Sequence, residues 1–126
     1  MLRSVLEGIG LQLRWMQPYV EKFTQEPFEE ITFSGGGARS PTWAAILADI
    51  LQRPIHRIQD ARYANTRGAA FLGFTRLGLL DKGDIGPFRP IAETHEPHKN
   101  HRRIYDGLFE AWQLAFEVNA PVFEQL

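Results

Sequence analysis

The sequence contains no cysteine among its 126 residues. A disulfide framework and thiolate chemistry are therefore excluded, and the absence agrees with a reducing compartment. No apolar run approaches the roughly 20 residues that a membrane-spanning helix needs. The amino-terminal segment also lacks the long apolar stretch and small-residue cleavage site of a signal peptide. We therefore expect a cytoplasmic protein with no membrane partner.

Neither sign of charge dominates the chain. Its 14 lysine and arginine residues are balanced by 15 aspartate and glutamate residues, and the net charge at pH 7 is −1. Such a chain has no strong field to attract nucleic acid. Hydrophobic residues make up 44% of the chain and charged residues 23%. These values are typical of a globular domain, and the length suits one modest core.

The first half of the chain predicts helix, strand, helix and strand. The first helix has one apolar face with a period near 3.6, formed by Val5, Ile9, Leu13, Met16, Val20 and Phe23. Pro18 lies inside this helix and should kink it or split it in two. Residues 31–33 and 55–58 are short β-branched or aromatic runs, which predict strands on either side of a second helix.

The second half predicts two helices separated by a loop. A helix over about residues 63–79 is rich in glycine and alanine, which permits a neighbouring element to approach its backbone closely. Residues 81–100 contain many prolines and glycines and are predicted to be a surface loop. The last helix should cover about residues 101–119 and end before Pro121. It carries two adjacent apolar stripes, so another element should cover it.

The predicted fold is therefore an α/β arrangement with a short parallel sheet, in the order α-β-α-β-α-α. A strand, a helix and a second strand within about 30 residues make parallel strands with a right-handed crossover. Two strands are too few for a stable sheet covered by helices. Either the strands pair with another copy in a homo-oligomer, or residues 1–126 are a single partial domain of a larger one. We expect the second arrangement because it is simpler.

The sequence Gly35-Gly36-Gly37-Ala38-Arg39-Ser40-Pro41 predicts an anion-binding turn at the start of the second helix. Glycines allow positive φ and close approach of a phosphate to the backbone. Ser40 can cap the helix, and Pro41 fits the first helical position. The free N–H groups of a helix start, together with the helix dipole, attract a phosphate. A tight turn without a ligand is the alternative interpretation.

Two common nucleotide motifs match this turn poorly. The Walker pattern requires a Gly-Lys pair before Ser or Thr, and the chain contains no Gly-Lys pair. Gly35 and Gly37 match the first two glycines of the dinucleotide pattern G-x-G-x-x-G, but Ser40 stands where the third glycine is required. Asp60 follows the second strand and could bind a ribose in that pattern or cap the third helix. These two roles remain open.

A set of motifs in fixed order carries a more specific signal. The set consists of Leu2-Arg3-Ser4-Val5-Leu6-Glu7-Gly8-Ile9, Gly35 to Ser40, Trp43, Ala48-Asp49-Ile50, Gly68-Ala69-Ala70 and the segment from Tyr105 to Phe116. In this order the sequence resembles the C-terminal domain of the FGGY carbohydrate kinases, and xylulose kinases most closely. The resemblance covers nearly the whole chain.

The resemblance implies an actin-like ATPase fold of the ribonuclease H type, with ATP and a sugar in a cleft between two domains. It implies backbone contacts to the nucleotide from Gly36, Gly37 and Ala38, a turn shaped by Gly35, and Ser40 near the adenosine. Mg²⁺ would be bound together with ATP or ADP. The family's catalytic aspartate and most sugar contacts belong to segments outside this chain, so residues 1–126 alone should have no catalytic residue and no kinase activity.

Several polar residues can be explained by structural roles as well as by metal or ligand binding. His95, His98 and His101 could bind a metal if their segment coiled suitably, although a solvated loop is the expected alternative. Glu7 could line the cleft or lie on a helix surface. Asp49 should fix a helix or loop through hydrogen bonds. Arg102 and Arg103 should be solvated or paired with an acid.

Two functions from different classes therefore remain. The chain is the ATP-binding part of a sugar kinase acting on a pentulose or related carbohydrate. Alternatively, it is a stand-alone module that binds nucleotide weakly or self-associates through its strand edges and apolar helices. A dinucleotide-binding module ranks third.

Overall fold

The computed structural model describes residues 2–123 and residue 125, which form four helices and three strands joined by short 3₁₀ turns. The elements follow each other in the order α1 (Leu2–Thr24), β1 (Ile31–Phe33), α2 (Pro41–Leu51), β2 (Ile55–Ile58), α3 (Ala64–Arg76), β3 (Ile91–His95) and α4 (Arg102–Phe123). The 3₁₀ turns lie at Gly37–Arg39, Ala61–Tyr63, Lys82–Phe88 and Lys99–His101. The predicted order of helices and the first two strands is confirmed.

The sheet has three strands in the order β1-β2-β3. The first pair is parallel, as predicted, with Ile31 opposite Ile55. The prediction of a loop over residues 81–100 is wrong, because β3 lies there and runs antiparallel to β2, with His95 opposite Ile55. The short sheet is thus mixed rather than wholly parallel. Four of the five residues of β3 are exposed, so its sequence carries little of the apolar signal by which a strand is recognised.

Helix α2 is the centre of the core, and seven of its eleven residues are buried. Its local signals act as predicted: the Ser40 hydroxyl accepts a hydrogen bond from the Trp43 backbone N–H at 3.2 Å, and Pro41 begins the helix. Gln52 ends it in the left-handed conformation. Such complete signals at both ends explain why the bounds of this helix were predictable.

The two faces of α2 pack against different layers. One face joins the sheet in a cluster formed by Ala44, Leu47, Ala48, Leu51 and Ile55. The other face contacts α1 and α4 in a second cluster, formed by Leu11, Ile46, Ile50 and Tyr105. Ile50 and Ile55 are completely buried, and burial of such a side chain contributes about 1.5–3 kcal/mol. The helix is therefore enclosed between the sheet on one side and the pair of helices α1 and α4 on the other.

Helix α1 turns its predicted apolar face away from this core. Every member of that face is exposed: Val5, Ile9, Leu13, Met16, Val20 and Phe23. The buried residues of α1 are Gly10 and Leu11. A Cβ atom at Gly10 would lie only 2.6 Å from the Ile50 Cδ1 atom, so the missing side chain lets α1 approach α2 at this point. The helix is also continuous through Pro18, so of the two predicted effects of this proline, a kink or a split, the split does not occur.

The last two helices depart from prediction in extent and in packing. Helix α4 continues past Asn119 to Phe123, because Pro121 removes only one backbone donor so close to the helix end. Helix α3 ends at Arg76, three residues earlier than expected. A Cβ atom at Gly68 or Gly73 would meet nothing within 4 Å. Within the described residues, no neighbouring element therefore approaches α3 closely at these two glycines, whereas Ala64 at the start of α3 packs against Ile58 and Ala61.

One stripe of α4 is covered and the other is open. Tyr105 is buried, and Phe109 and Trp112 pack against the cluster on α1 and α2. Trp15 of α1 meets Trp112 edge to face, with ring centroids 5.4 Å apart. The second stripe, which includes Ile104 and Leu108, stays exposed. Within the described part of the chain, no helix is both long and apolar enough to cross a membrane.

Candidate functional site

The glycine turn connects β1 to α2 at the carboxyl end of the parallel strand pair. Gly35 has a φ of 81°, and its N–H donates to the Ala61 carbonyl at 3.2 Å. Gly36 follows with helical angles, φ −61° and ψ −38°. A 3₁₀ turn at Gly37–Arg39 then leads into Ser40, the cap of α2. The turn therefore lies where ligands commonly bind in α/β sheets, outside the carboxyl ends of parallel strands.

The described fold requires glycine at two of the three positions, for different reasons. Gly35 has a positive φ, which other residues adopt only at a cost. A Cβ atom at Gly37 would overlap the Trp43 ring and come within 3.1 Å of the Phe33 ring. Gly36 has an ordinary helical φ, and a Cβ atom there would meet nothing within 4 Å. Nothing in the described fold therefore requires glycine at position 36.

Three consecutive backbone N–H groups in this turn have no hydrogen-bond partner among residues 2–123 and 125. They belong to Gly36, Gly37 and Ala38. The next two N–H groups are satisfied within the turn, since Arg39 donates to the Gly36 carbonyl at 3.3 Å and Ser40 donates to the Gly37 carbonyl at 3.0 Å. Gly36 is exposed and Gly37 is half-buried, whereas Ala38 is only 1% exposed. Such a run of free donors at a helix start suits an anion.

A cavity of about 420 Å³ opens on this turn. It brings together two segments that are distant in sequence, and its lining consists of Leu2, Leu6, Gly36, Gly37, Arg39, Ser40 and Trp43. The volume falls in the range of small-molecule sites. One wall is apolar, from α1 and Trp43, and the other carries backbone donors and one arginine. We call this space the turn cavity.

Trp43 packs in the core and also has an unpaired polar atom. Its ring meets the Phe33 ring edge to face, with centroids 5.4 Å apart, and it packs against the sheet-side core cluster. The indole Nε1 atom is buried and has no hydrogen-bond partner among the described residues. A buried N–H without a partner is costly. The carbon edge of the ring, and not this atom, lies beside Gly37.

The structure divides the predicted site residues between two cavities. Gly36, Gly37 and Ser40 line the turn cavity. Gly35 does not line it and instead sets the direction of the turn through its positive φ. Ala38 lies against a second cavity on the other side of the turn. Sequence reasoning missed Leu2, Leu6 and Arg39 as lining residues. The i, i+4 spacing of the two leucines was the available signal, but nothing local shows that their helix meets the glycine turn.

Asp49 and Glu7 hold helices together. The Asp49 carboxylate accepts a hydrogen bond from the His98 backbone N–H and contacts the His101 Nδ1 atom, each at 2.7 Å. This confirms the prediction that Asp49 fixes a loop. Glu7 accepts hydrogen bonds from Arg3 at 2.9 Å and from the Tyr105 hydroxyl at 3.0 Å. Its carboxylate joins α1 to α4, and it does not line the turn cavity.

Burial raises the pKa of Tyr105 above the ordinary tyrosine value. Loss of solvent is the largest cause, a hydrogen bond from Arg3 opposes it, and the hydrogen bond to Glu7 reinforces it. The Arg3 pKa is also raised, first by its hydrogen bond to Glu7 and then by that to Tyr105. The phenol is therefore kept neutral as a structural donor between two helices.

The other polar residues considered for metal or ligand binding are best described by their contacts. Among the described residues, no three or more His, Asp or Glu side chains are grouped so that they could hold a metal ion. Arg102 lies 3.8 Å from Asp106 one turn later, which agrees with the expected ion pair. Asp60 begins the 3₁₀ turn before α3, but its side chain makes no capping hydrogen bond. It lines the second cavity instead.

Comparison with known proteins identifies relatives along the chain. Residues 1–77 match the model of the FGGY family of carbohydrate kinases, C-terminal domain. An autoinducer-2 kinase from Enterobacter sp. (strain 638) is 29% identical over 118 residues, covering 92% of this chain and 22% of that protein. A glycerol kinase from Limosilactobacillus reuteri (strain DSM 20016) is 30% identical over 115 residues, covering 90% of this chain and 23% of that protein.

The fold is similar to that of a solved sugar kinase structure. A ligand-bound xylulose kinase from Lactobacillus acidophilus superimposes with a TM-score of 0.79 at 28% identity, covering 94% of this chain and 24% of that chain. This likeness confirms the predicted actin-like ATPase fold. The chain spans about a quarter of the length of these relatives. Their names also differ in the substrate, so they agree on the family and not on one sugar.

Proposed function

Because this chain belongs to the FGGY family of carbohydrate kinases, through the C-terminal domain of that family, we propose that it forms the nucleotide-binding part of an ATP-dependent carbohydrate kinase. The observation that carries the proposal is the run of free N–H groups at Gly36, Gly37 and Ala38 beside the turn cavity. We treat residues 1–126 as one partial domain of that enzyme.

The phosphates of ATP or ADP would be held by backbone donors. Gly36 and Gly37 present free N–H groups at the cavity, and the N–H of the buried Ala38 adds a third donor beneath them. Gly35 sets the direction of the turn through its positive φ. The amino-terminal end of α2 adds partial positive charge, which stabilises a phosphate near it. Ser40 is held in place by capping α2, and it would lie beside the adenosine.

The apolar wall of the turn cavity suits the adenosine part of the ligand. Leu2 and Leu6 offer aliphatic surface, and Trp43 offers part of its indole ring. Apolar walls with a few placed polar groups are the usual form of a cofactor site.

Phosphoryl transfer needs groups that the turn cavity does not contain. Bound ATP supplies the phosphoryl group, and Mg²⁺ would arrive with it on its phosphate oxygens. The cavity lining has no carboxylate and no histidine that could accept a hydroxyl proton. We therefore propose that this chain binds and orients the nucleotide. The catalytic base and most sugar contacts would lie in the rest of the kinase, and the chain alone would be inactive.

For the acceptor we propose a pentulose or a related carbohydrate, as in xylulose kinases. The likeness to a xylulose kinase structure supports this choice, while the autoinducer-2 kinase and the glycerol kinase support only a carbohydrate acceptor in general. We place the enzyme in the cytoplasm, where ATP is available.

The test is calorimetric titration of the chain with ADP and Mg²⁺, comparing the unaltered protein with Gly36→Ala. The added methyl group fits the protein but occupies the space a phosphate would need, so we expect ADP affinity to fall about tenfold or more while stability is unchanged. Gly107→Ala is the matched control, because a Cβ atom there also meets nothing within 4 Å and the position does not line the turn cavity.

Two results would contradict the proposal. Equal ADP affinity in Gly36→Ala and Gly107→Ala would remove the turn from the binding site. Binding of NAD in place of ADP would favour a dinucleotide module. Binding of ADP by a chain that associates with no other kinase segment would favour the interpretation as a stand-alone module.

A further inference from the structure

A second cavity, of about 340 Å³, lies beyond the carboxyl end of β2 on the other side of the glycine turn. Three arginines from three different segments converge on it: Arg39 from the turn, Arg57 from β2 and Arg62 from the 3₁₀ turn before α3. We call this space the arginine cavity. The only carboxylate in its lining is that of Asp60. The lining is therefore strongly cationic in a protein whose net charge is −1.

Most of this positive charge is not neutralised within the described residues. The guanidinium of Arg39 has neither an ion pair nor a hydrogen bond there. Arg62 stacks on the Tyr63 ring, 4.6 Å from its centroid, and has no acidic partner among residues 2–123 and 125. Stacking on a ring face leaves the edge of a guanidinium free to donate. Two arginines thus face the cavity with their donor capacity unused.

Arg57 adds an independent indication of a missing acceptor. Its Nη1 atom pairs with Glu93 at 3.1 Å, but its Nε atom is buried and lacks a hydrogen-bond partner among the described residues. The side chain is only 16% exposed, so this donor has little access to water. A buried charged group with an unmade hydrogen bond is destabilising.

The floor of the cavity is held rigidly. Arg67 of α3 donates to the Gln59 carbonyl at 2.6 Å, which fixes the chain as it leaves β2. The N–H of Gln59 donates to the Pro90 carbonyl at 2.7 Å, which ties the same residue to the segment before β3. A site assembled on fixed backbone loses little entropy when it binds.

We propose that the arginine cavity binds the phosphate group of a small phosphorylated metabolite. Guanidinium forks match the oxygens of a tetrahedral phosphate, and the three arginines leave one net positive charge after Asp60 and Glu93 are counted. The volume exceeds what a bare phosphate fills, so the ester part would occupy the remainder. The site does not depend on nucleotide binding at the turn cavity, although Arg39 lines both spaces.

The experiment is a titration of the ¹⁵N-labelled chain with inorganic phosphate and with ribose 5-phosphate at constant ionic strength, followed by NMR. We expect saturable shifts of the backbone amides of residues 59–62 and 92, and tighter binding of the ester than of inorganic phosphate. Arg62→Ala should weaken binding at these amides about tenfold or more, as loss of a charge-assisted hydrogen bond requires. Arg103→Ala is the charge-matched control, since it removes an exposed arginine of α4 that lines neither cavity.

Each outcome has a defined meaning. Shifts confined to Gly36 and Gly37 would overturn the proposal and leave only the turn cavity as an anion site. Equal weakening by Arg62→Ala and Arg103→Ala would also overturn it, because the effect would then follow net charge alone. Shifts at residues 59–62 that persist in Gly36→Ala would support an arginine cavity that acts independently of the turn.

Discussion

At the scale of single residues, the three glycines of the turn look alike in the sequence but differ in whether, and why, the fold requires them. Gly35 is needed for its positive φ, and Gly37 is needed because Trp43 occupies the space beside it. Gly36 has neither reason within the described fold. A bulky residue at position 37 would therefore displace Trp43 before it affected a ligand. Position 36 is the one at which we expect a substitution to alter the proposed ligand binding without altering the fold.

Replacement of Gly35 by alanine should destabilise the protein without touching either cavity. At a φ of 81° an L-residue is strained, and we expect the free energy of unfolding to fall by about 1–2 kcal/mol. Urea denaturation measures this change. Gly36→Ala is the comparison, with stability unchanged or slightly raised, because alanine restricts the unfolded chain. A loss in Gly36→Ala as large as that in Gly35→Ala would show that the two positions are not distinguished by φ.

At the scale of elements, α1 and α4 are joined by two polar links, the hydrogen bonds of the buried Tyr105 and the ion pair of Arg14 with Asp106. Tyr105 is 3% exposed, and its hydroxyl donates to Glu7 at 3.0 Å while accepting from Arg3 at 3.2 Å. The phenol therefore has a satisfied donor and a satisfied acceptor. Such links stabilise one arrangement of the two helices over others, because any other register would leave these groups unpaired.

The raised pKa of Tyr105 predicts a loss of stability in alkaline solution. The folded state favours the neutral phenol, so its contribution is complete below the unfolded value of 10.0 and is lost as the pH rises through the higher folded pKa. Tyr105→Phe should lack this alkaline component. At pH 7 the variant should be less stable by about 1 kcal/mol, since it loses the hydrogen bonds of the hydroxyl. Denaturation curves between pH 8 and pH 11 test both points, and parallel pH profiles for the two proteins would contradict the assignment.

Elements with complete local signals were predictable from the sequence, and those placed by distant contacts were not. The bounds of α2 follow from Ser40, Pro41 and an apolar stripe that all agree. Strand β3 is mostly exposed, so its residues did not show the pattern of a buried strand. The direction of α1 depends on the contact of Gly10 with Ile50 of α2. In the same way, the turn was predictable, but the cavity wall from Leu2 and Leu6 depends on tertiary packing.

At the scale of the whole molecule, the strand β1 and the apolar face of α1 leave one side open. Among residues 2–123 and 125, β1 has a strand partner on one edge only. Next to the free edge is an apolar groove of about 360 Å³, whose lining includes Leu13, Met16, Val20, Phe28 and Ile31. A free strand edge beside an apolar surface favours association with another chain or segment. We expect such an association to cover this side.

The 126-residue chain alone should therefore self-associate through this groove. Val20→Glu places a charge at the groove, and we expect it to lower the average mass measured by sedimentation equilibrium while leaving the melting temperature nearly unchanged, because Val20 is 39% exposed. Leu72→Glu is the matched control, at a site on α3 that is 69% exposed and outside the groove. An equal decrease in mass for both variants would assign the association to general charge repulsion.

The contact between Trp43 and Gly37 has a spectroscopic consequence. Trp15 and Trp112 contact each other edge to face between α1 and α4, whereas Trp43 borders the turn cavity with its indole N–H unsatisfied. In a variant with phenylalanine at positions 15 and 112, Trp43 would be the only tryptophan, and its emission can be excited apart from that of the tyrosines. Its emission maximum and quenching by iodide would then report occupancy of the cavity directly. The protein thus contains an intrinsic optical probe at the place where the nucleotide is proposed to bind.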